Sequence, residues 1–245
     1  ECYCAHADYH CGMALTEQMI AAAMEQAVGS HEVMYGETLL SFKAPFRRLS
    51  VESSLVEIGG FAPAEIEERA IDQIFIDKKL DFNYKQATHG DKLFFLFEEF
   101  VEDKLIQPTF ITGHPIDISP LAKRDAQNPF QAARFELFAG GIELANGFSE
   151  LNDPLEQADR FKQQVNQRQS GFDEAHCYDA DFVQALEYGL PPTVGIGLGI
   201  DRLIMYHNNT HSNKDVILFP TMKPRAYACQ PCTYRVRNTD LYVLR

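Results

Sequence analysis

The residues best suited to chemistry lie in RFELFAGGIELANGFSELND, residues 134–153, where Glu136, Glu143, Asn146 and Glu150 interrupt otherwise apolar sequence. Carboxylates in strand-like surroundings need compensation by cations, hydrogen bonds or metal, because bare burial is costly. Glu136 shares its side of an extended strand with Arg134 and Phe138. A turn at Gly140-Gly141 would return Glu143 beside that strand, and two neighbouring carboxylates can hold magnesium against nucleotide phosphates. Asn146, Phe148 and Glu150 share strand parity provided no bulge intervenes, which would build an acidic, aromatic pocket for an amino compound. The same pattern also suits an amphipathic hairpin whose acidic face meets solvent.

A second constellation is GIGLGIDRLIMYHNNTHSNKDVILFP, residues 195–220. Gly195, Gly197 and Gly199 would leave one face of an extended strand bare, so that a flat ligand can approach the backbone. Arg202, in the first turn of a following helix, would reach that ligand, and a guanidinium can stack on a purine and pair with phosphate oxygens. The spacing is not the dinucleotide fingerprint GxGxxG, and no GxxxxGK[ST] loop occurs. A glycine-rich strand followed by a surface arginine is the plainer alternative.

The elements that must position these residues can be read from pattern. Met13 to Val28 carries a helical apolar stripe, with Thr16 and Glu17 near its start. Glu32 to Phe42 reads as a hairpin turning at Gly36-Glu37. Pro45 to Ser50 leads into a short helix over Val51 to Ile58, and Pro63 to Lys79 can be helical. Lys92 to Asp103 is amphipathic: Leu93, Leu96, Phe97, Phe100 and Val101 oppose Glu98, Glu99 and Glu102. Pro108 to Thr112 reads as a strand, Arg134 to Phe138 and Ile142 to Phe148 as a hairpin, and Asp153 to Gln169 and Asp179 to Tyr188 as helices. Hairpins interspersed with helices predict an α+β fold with a mixed, mainly antiparallel sheet flanked by helices. Regular strand–helix alternation, and with it a doubly wound parallel sheet, is absent.

With 245 residues, 45% of them hydrophobic and including 18 Phe and 10 Tyr, the chain has ample core material. The formal charge of -13 argues against a general nucleic-acid coat or a membrane-surface binder, though not against RNA contact over one local basic patch. No apolar run reaches the roughly 18 residues of a membrane span, and the first residues lack the pattern of a signal peptide. The six cysteines are spaced unlike a secreted scaffold, so reduced thiols in the cytoplasm are expected. Cys229 and Cys232 have redox-pair or half-zinc-site spacing, but a full zinc set would need His6 or His10 from the far end.

Both constellations resemble one family. The glycine-rich stretch ending in Asp201-Arg202 resembles motif 3 of class II aminoacyl-tRNA synthetases. The 134–153 block, RDAQNPF (124–130), PTFITGHPIDISPLAKR (108–124) and DVILFPTMKP (215–224) resemble the lysyl enzymes more specifically. The opening ECYCAHADYH resembles the end of motif 2. The resemblance covers residues 1–224 as a partial catalytic domain and leaves 225–245 as an unassigned tail. It implies ATP-dependent activation of lysine to lysyl-adenylate and transfer to tRNA(Lys), with magnesium, in a cytoplasmic homodimer.

By resemblance, Arg202 holds ATP, Glu136 and Glu143 coordinate magnesium, and Glu1, Tyr3, Asn146, Phe148 and Glu150 contact lysine. Gly197 and Gly199 form the smooth wall beside amino acid and adenosine. The resemblance begins inside motif 2, so motif 1, the first motif 2 strand and the anticodon-binding domain are expected to lie outside this sequence, and low activity is expected without them. Ile142 stands where lysyl enzymes commonly have Arg, which leans toward a paralogue that lysylates elongation factor P. Gly197, where that paralogue has an alanine-like position, and the FSELND run lean back toward the tRNA enzyme. A noncatalytic synthetase-like scaffold is the remaining alternative.

Overall fold

The structure, a computed structural model, describes residues 1–169 and 177–221. Cys229, Cys232 and the tail from Arg225 therefore lie outside the described residues. The cysteines within them, Cys2, Cys4, Cys11 and Cys177, are all free.

The framework is a six-stranded sheet in the order β1-β8-β7-β6-β5-β4, with a separate two-stranded ribbon β2-β3. In chain order the strands are β1 (Cys2–Ala5), β2 (Glu32–Tyr35), β3 (Thr38–Ser41), β4 (Arg47–Ser50), β5 (Thr109–Thr112), β6 (Arg134–Ala139), β7 (Ile142–Ser149) and β8 (Thr193–Leu198). All neighbours are antiparallel except β4 and β5, which run parallel. A parallel pair cannot be joined by a tight turn. Its crossover is made by the helices α2 (Val51–Glu57), α3 (Ile71–Lys78) and α4 (His89–Phe100).

One face of the sheet is closed by α1 (Tyr9–Val28) and α7 (Ile200–Asn208). Met13, Ile20 and Met24 of α1 and Leu203 and Tyr206 of α7 pack with Phe135, Leu137 and Ala139 of β6. The crossover helices cover part of the opposite face, where Leu55, Phe75, Leu96 and Phe97 meet Leu49, Ile111 and Phe138. Burying side chains of this size contributes about 1.5–3 kcal/mol each. The remainder of that second face carries the polar groups considered below. Near it lie α5 (Pro154–Gln169) and α6 (Ala180–Glu187), which pack on each other.

Several expectations are refined. The first helix begins at Tyr9 rather than Met13, because Asp8 accepts a hydrogen bond from the Cys11 N–H and caps it. Thr16 is thus well inside α1, buried and donating to the Gly12 carbonyl, and Glu17 accepts from the Phe46 N–H. Residues 47–50 form an edge strand as well as leading into α2, and Cys2–Ala5 is also a strand. Within 63–79 only a single 3₁₀ turn (Pro63–Glu65) and α3 are helical. Gly199 lies beyond β8 and caps α7, leaving Gly195 and Gly197 as the strand glycines. Among the described residues no helix is long and apolar enough to cross a membrane.

Candidate active site

The β6–β7 hairpin turns on Gly140 and Gly141, with φ of 58° and 77°, a region glycine enters without a Cβ penalty. Both turn amides are held, Gly140 donating to the Ile106 carbonyl and Gly141 to the Leu105 carbonyl. The pairing then slips: Leu137 faces Ala145, whereas Phe138 faces Glu143. This β-bulge decides the chemistry of the face. Simple alternation would point Glu143 and Asn146 to opposite sides, and one extra residue between them brings both onto the side of Glu136. The bulge precedes Asn146 and Phe148, so their shared parity survives.

Two rows cross the strands on this face. Tyr3, Gly195, Phe148 and Arg134 are successive register partners, and so are Gly197, Asn146 and Glu136. Glu136 is only 6% exposed. Its Oε1 accepts from Arg134 Nη2 at 2.5 Å, and its Oε2 lies 3.2 Å from His114 Nε2. Burial alone would raise its pKa, but His114 and Arg134 outweigh it and hold the carboxyl below its ordinary value. Glu143 offers both its backbone carbonyl and its carboxylate to Arg202 Nη1, the latter at 3.4 Å. Glu102 of the 3₁₀ turn after α4 is pushed up, first by burial and then by the charges of Glu136 and Glu143. These carboxylates line a cavity of about 500 Å³ together with Arg134, Ile118 and the aromatic side of α4.

The second cluster lies toward β1. The Glu150 carboxyl is pushed up to about 7, chiefly by burial and then by Glu1. Tyr3 is raised in turn by the charge of Glu1, by burial and by Glu150. Its hydroxyl donates to Glu1 at 3.5 Å, long for a hydrogen bond. Among the described residues Glu150 has no side-chain ion-pair partner, and its half-buried carboxyl lies with Glu1 and the exposed Tyr3 phenol beside Gly195. Carboxylates so grouped can pair with an amine. A Cβ on Gly195 would come 2.2 Å from the end of the Glu150 side chain and would force it to shift; a Cβ on Gly197 would have only the Asn146 carbonyl, at 3.8 Å, within 4 Å.

Comparison with known proteins decides the family. The family described as tRNA synthetases class II (D, K and N) matches residues 1–223. The chain belongs to the class II tRNA synthetases of this D, K and N group. Its relatives include the lysine–tRNA ligase of Psychromonas ingrahamii, 47% identical over 228 residues, which are 92% of this chain and 45% of that protein. The corresponding ligase of Acinetobacter baylyi is 48% identical over 225 residues, 91% of this chain and 44% of that protein. That of Clostridium tetani is 45% identical over 230 residues. The chain spans about half the length of the curated relatives it matches.

In this class II synthetase chain the expected site residues fall into two groups on one sheet face. Glu136 and Glu143 line one cavity and Glu143 contacts Arg202, while Glu1, Tyr3 and Glu150 gather beside Gly195. Asn146 lies between the groups, and Phe148 packs against the small cluster of Ile116, Ala122 and Ala132. Three participants escaped the sequence reading. His114 carries no signal within its strand-end segment, Glu102 falls in pattern among the polar residues opposing the α4 stripe, and Arg134 shows in pattern only as sharing a side with Glu136.

One consequence concerns Gly197, which borders open space. Gly197→Ala is expected to leave thermal stability unchanged, because the methyl would enter open space rather than press on the protein. A melting curve beside that of the unsubstituted protein checks this.

Proposed function

We propose that this chain provides the catalytic site of a lysine–tRNA ligase. The observation that carries the reading is the half-buried Glu150 carboxyl grouped with Glu1 and Tyr3 on the sheet whose neighbouring cluster joins Arg202 to Glu143. The side-chain ammonium of lysine pairs with Glu150, which separates lysine from neutral amino acids because only a cation compensates that charge. ATP lies along the wall made by Gly197 and Gly199, with Arg202 on its base and phosphates. The lysine carboxylate oxygen then bonds to the α-phosphorus as the bond to pyrophosphate breaks, giving lysyl-adenylate. A ribose hydroxyl at the tRNA end attacks the adenylate carbonyl and releases AMP. Positioning and charge stabilisation carry both steps, without a protein nucleophile.

Glu136 and Glu143 are suited to magnesium. They are hard oxygen donors on one face, beside Glu102, whose carboxyl is pushed up first by burial and then by the charges of Glu136 and Glu143. Among the described residues no group of three His, Cys, Asp or Glu is placed to hold a metal ion; magnesium here would take its remaining ligands from phosphates and water. When bound, magnesium would neutralise phosphate charge. The reading includes tRNA(Lys) as partner, a homodimer and a cytoplasmic location. Ile142, the residue leaning toward the elongation factor P paralogue, packs against the α1 side of the sheet, away from the lysine pocket.

The test is lysine-dependent ATP–pyrophosphate exchange, measured on the protein expressed from its whole gene and on the 245-residue chain. Exchange with lysine and none with leucine is expected from the former. A folded gene product without exchange sinks the ligase reading and leaves the scaffold account.

A further inference from the structure

We infer that Arg134 is a positioning residue that couples the lysine pocket to the carboxylate pair, an inference that rests on the ligase reading above. Each nitrogen of its guanidinium has a different partner. Nε donates to Asn146 Oδ1 at 3.2 Å, Nη1 to Ser119 Oγ at 3.0 Å, and Nη2 to Glu136 Oε1 at 2.5 Å. The guanidinium is planar and its donors are fixed in one fork, so rotating it to follow one partner disturbs the other two. Asn146 belongs to the proposed lysine site and Glu136 to the proposed magnesium site, and this one group holds both.

The fork also sets which way the Asn146 amide points. Arginine offers donors only, so Asn146 must turn its oxygen toward it, which leaves the NH₂ group available to an acceptor on a ligand. Without Arg134 the amide is free to flip and present oxygen instead. His114, a fully buried side chain, places Nε2 3.2 Å from the second oxygen of Glu136.

The third partner is itself anchored. Arg160 of α5, 5% exposed, donates to the carbonyls of Ser119 and Ala122 at 3.2 and 2.5 Å. It is held by Glu156, which also accepts from Arg124. The fork thus rests on a loop pinned to a helix. A ligand that repositions Glu136 or Asn146 repositions the shared guanidinium for the other, so the two bindings are coupled. By linkage the factor is the same in both directions.

The experiment is calorimetric titration of lysine into the whole gene product, with and without saturating Mg²⁺ alone, so that no nucleotide bridges the two sites. Mg²⁺ is expected to raise lysine affinity about fivefold in the unsubstituted protein. Arg134→Lys keeps a charge for Glu136 but cannot span to Asn146, and should bring that factor to one while each ligand still binds. Ser119→Ala, which leaves the buried charge pair intact, should reduce the factor by about half, and it decides the matter if Arg134→Lys does not fold. A factor that survives these substitutions overturns the role of Arg134. A folded unsubstituted protein that takes up no lysine instead brings down the ligase reading, and this inference with it.

Discussion

Glu150→Gln is expected to weaken lysine binding about a hundredfold and to abolish its pH dependence. The substitution preserves shape and removes the charge. The lysine ammonium would then meet Glu1 and the Tyr3 hydroxyl at a half-buried position without the Glu150 charge. Breaking one side of a fully buried ion pair costs about 3–5 kcal/mol, and partial solvent access reduces this to about 2–3, the source of the hundredfold figure. Because burial and Glu1 push the carboxyl up to about 7, lysine has to find it ionised. Affinity in the unsubstituted protein should rise about tenfold per pH unit below 7 and level off above it. Calorimetry between pH 5.5 and 8.5 reads this directly, and equal profiles for the two proteins would remove Glu150 from the site.

The same group sets a stability prediction of opposite sign. A carboxyl whose folded pKa is raised from 4.5 to about 7 favours the fold when protonated. That contribution is fully present below 4.5 and is lost as pH rises through 7. The full linkage would be about 3 kcal/mol, and solvent at a half-buried carboxylate lowers it to about 1–2 kcal/mol. Glu150→Gln should therefore melt a few degrees higher at pH 8, with no gain at pH 4. A group kept at a cost to the free protein is what a ligand-binding carboxylate should look like.

The β6–β7 hairpin was legible because two apolar runs flank a glycine pair, and that local pattern carries its own turn. The amphipathic stripe of α4 was legible for the same reason. Cys2–Ala5 and Arg47–Ser50 carry no strand signal in their sequence. Each is four residues long without a clear apolar alternation, and each is held by a partner far along the chain, β8 and β5 respectively. The site divides along the same line. Residue types named Glu136, Glu143, Asn146 and Glu150, but the bulge that turns Glu143 toward Glu136 depends on how β6 and β7 slip against each other. Sequence spacing carries no such information. The role of Arg134 was hidden likewise, since its fork closes on Ser119, Glu136 and Asn146, which only the folded sheet assembles.

Arg202→Ala is expected to lower lysine-dependent ATP–pyrophosphate exchange about a thousandfold while leaving lysine affinity within about twofold. Arg202 stands in the first turn of α7, just beyond the capping Gly199. Its side chain is 42% exposed and rests against Glu143, a position from which the guanidinium can swing onto a nucleotide without desolvating itself first. A stacked and phosphate-paired arginine acts on charge that develops during phosphoryl displacement, where loss of one such group typically costs about 3–4 kcal/mol. Arg202→Lys should recover no more than about a tenth of the activity, because an ammonium neither stacks on a purine nor forks to phosphate oxygens. The contrast with Glu150 is the sharper test. If the two pockets are separate, Glu150→Gln raises the lysine concentration needed for half-maximal exchange, whereas Arg202→Ala acts on ATP. Parallel losses of lysine and ATP affinity in both variants would mean that the two clusters on this face form one undivided site.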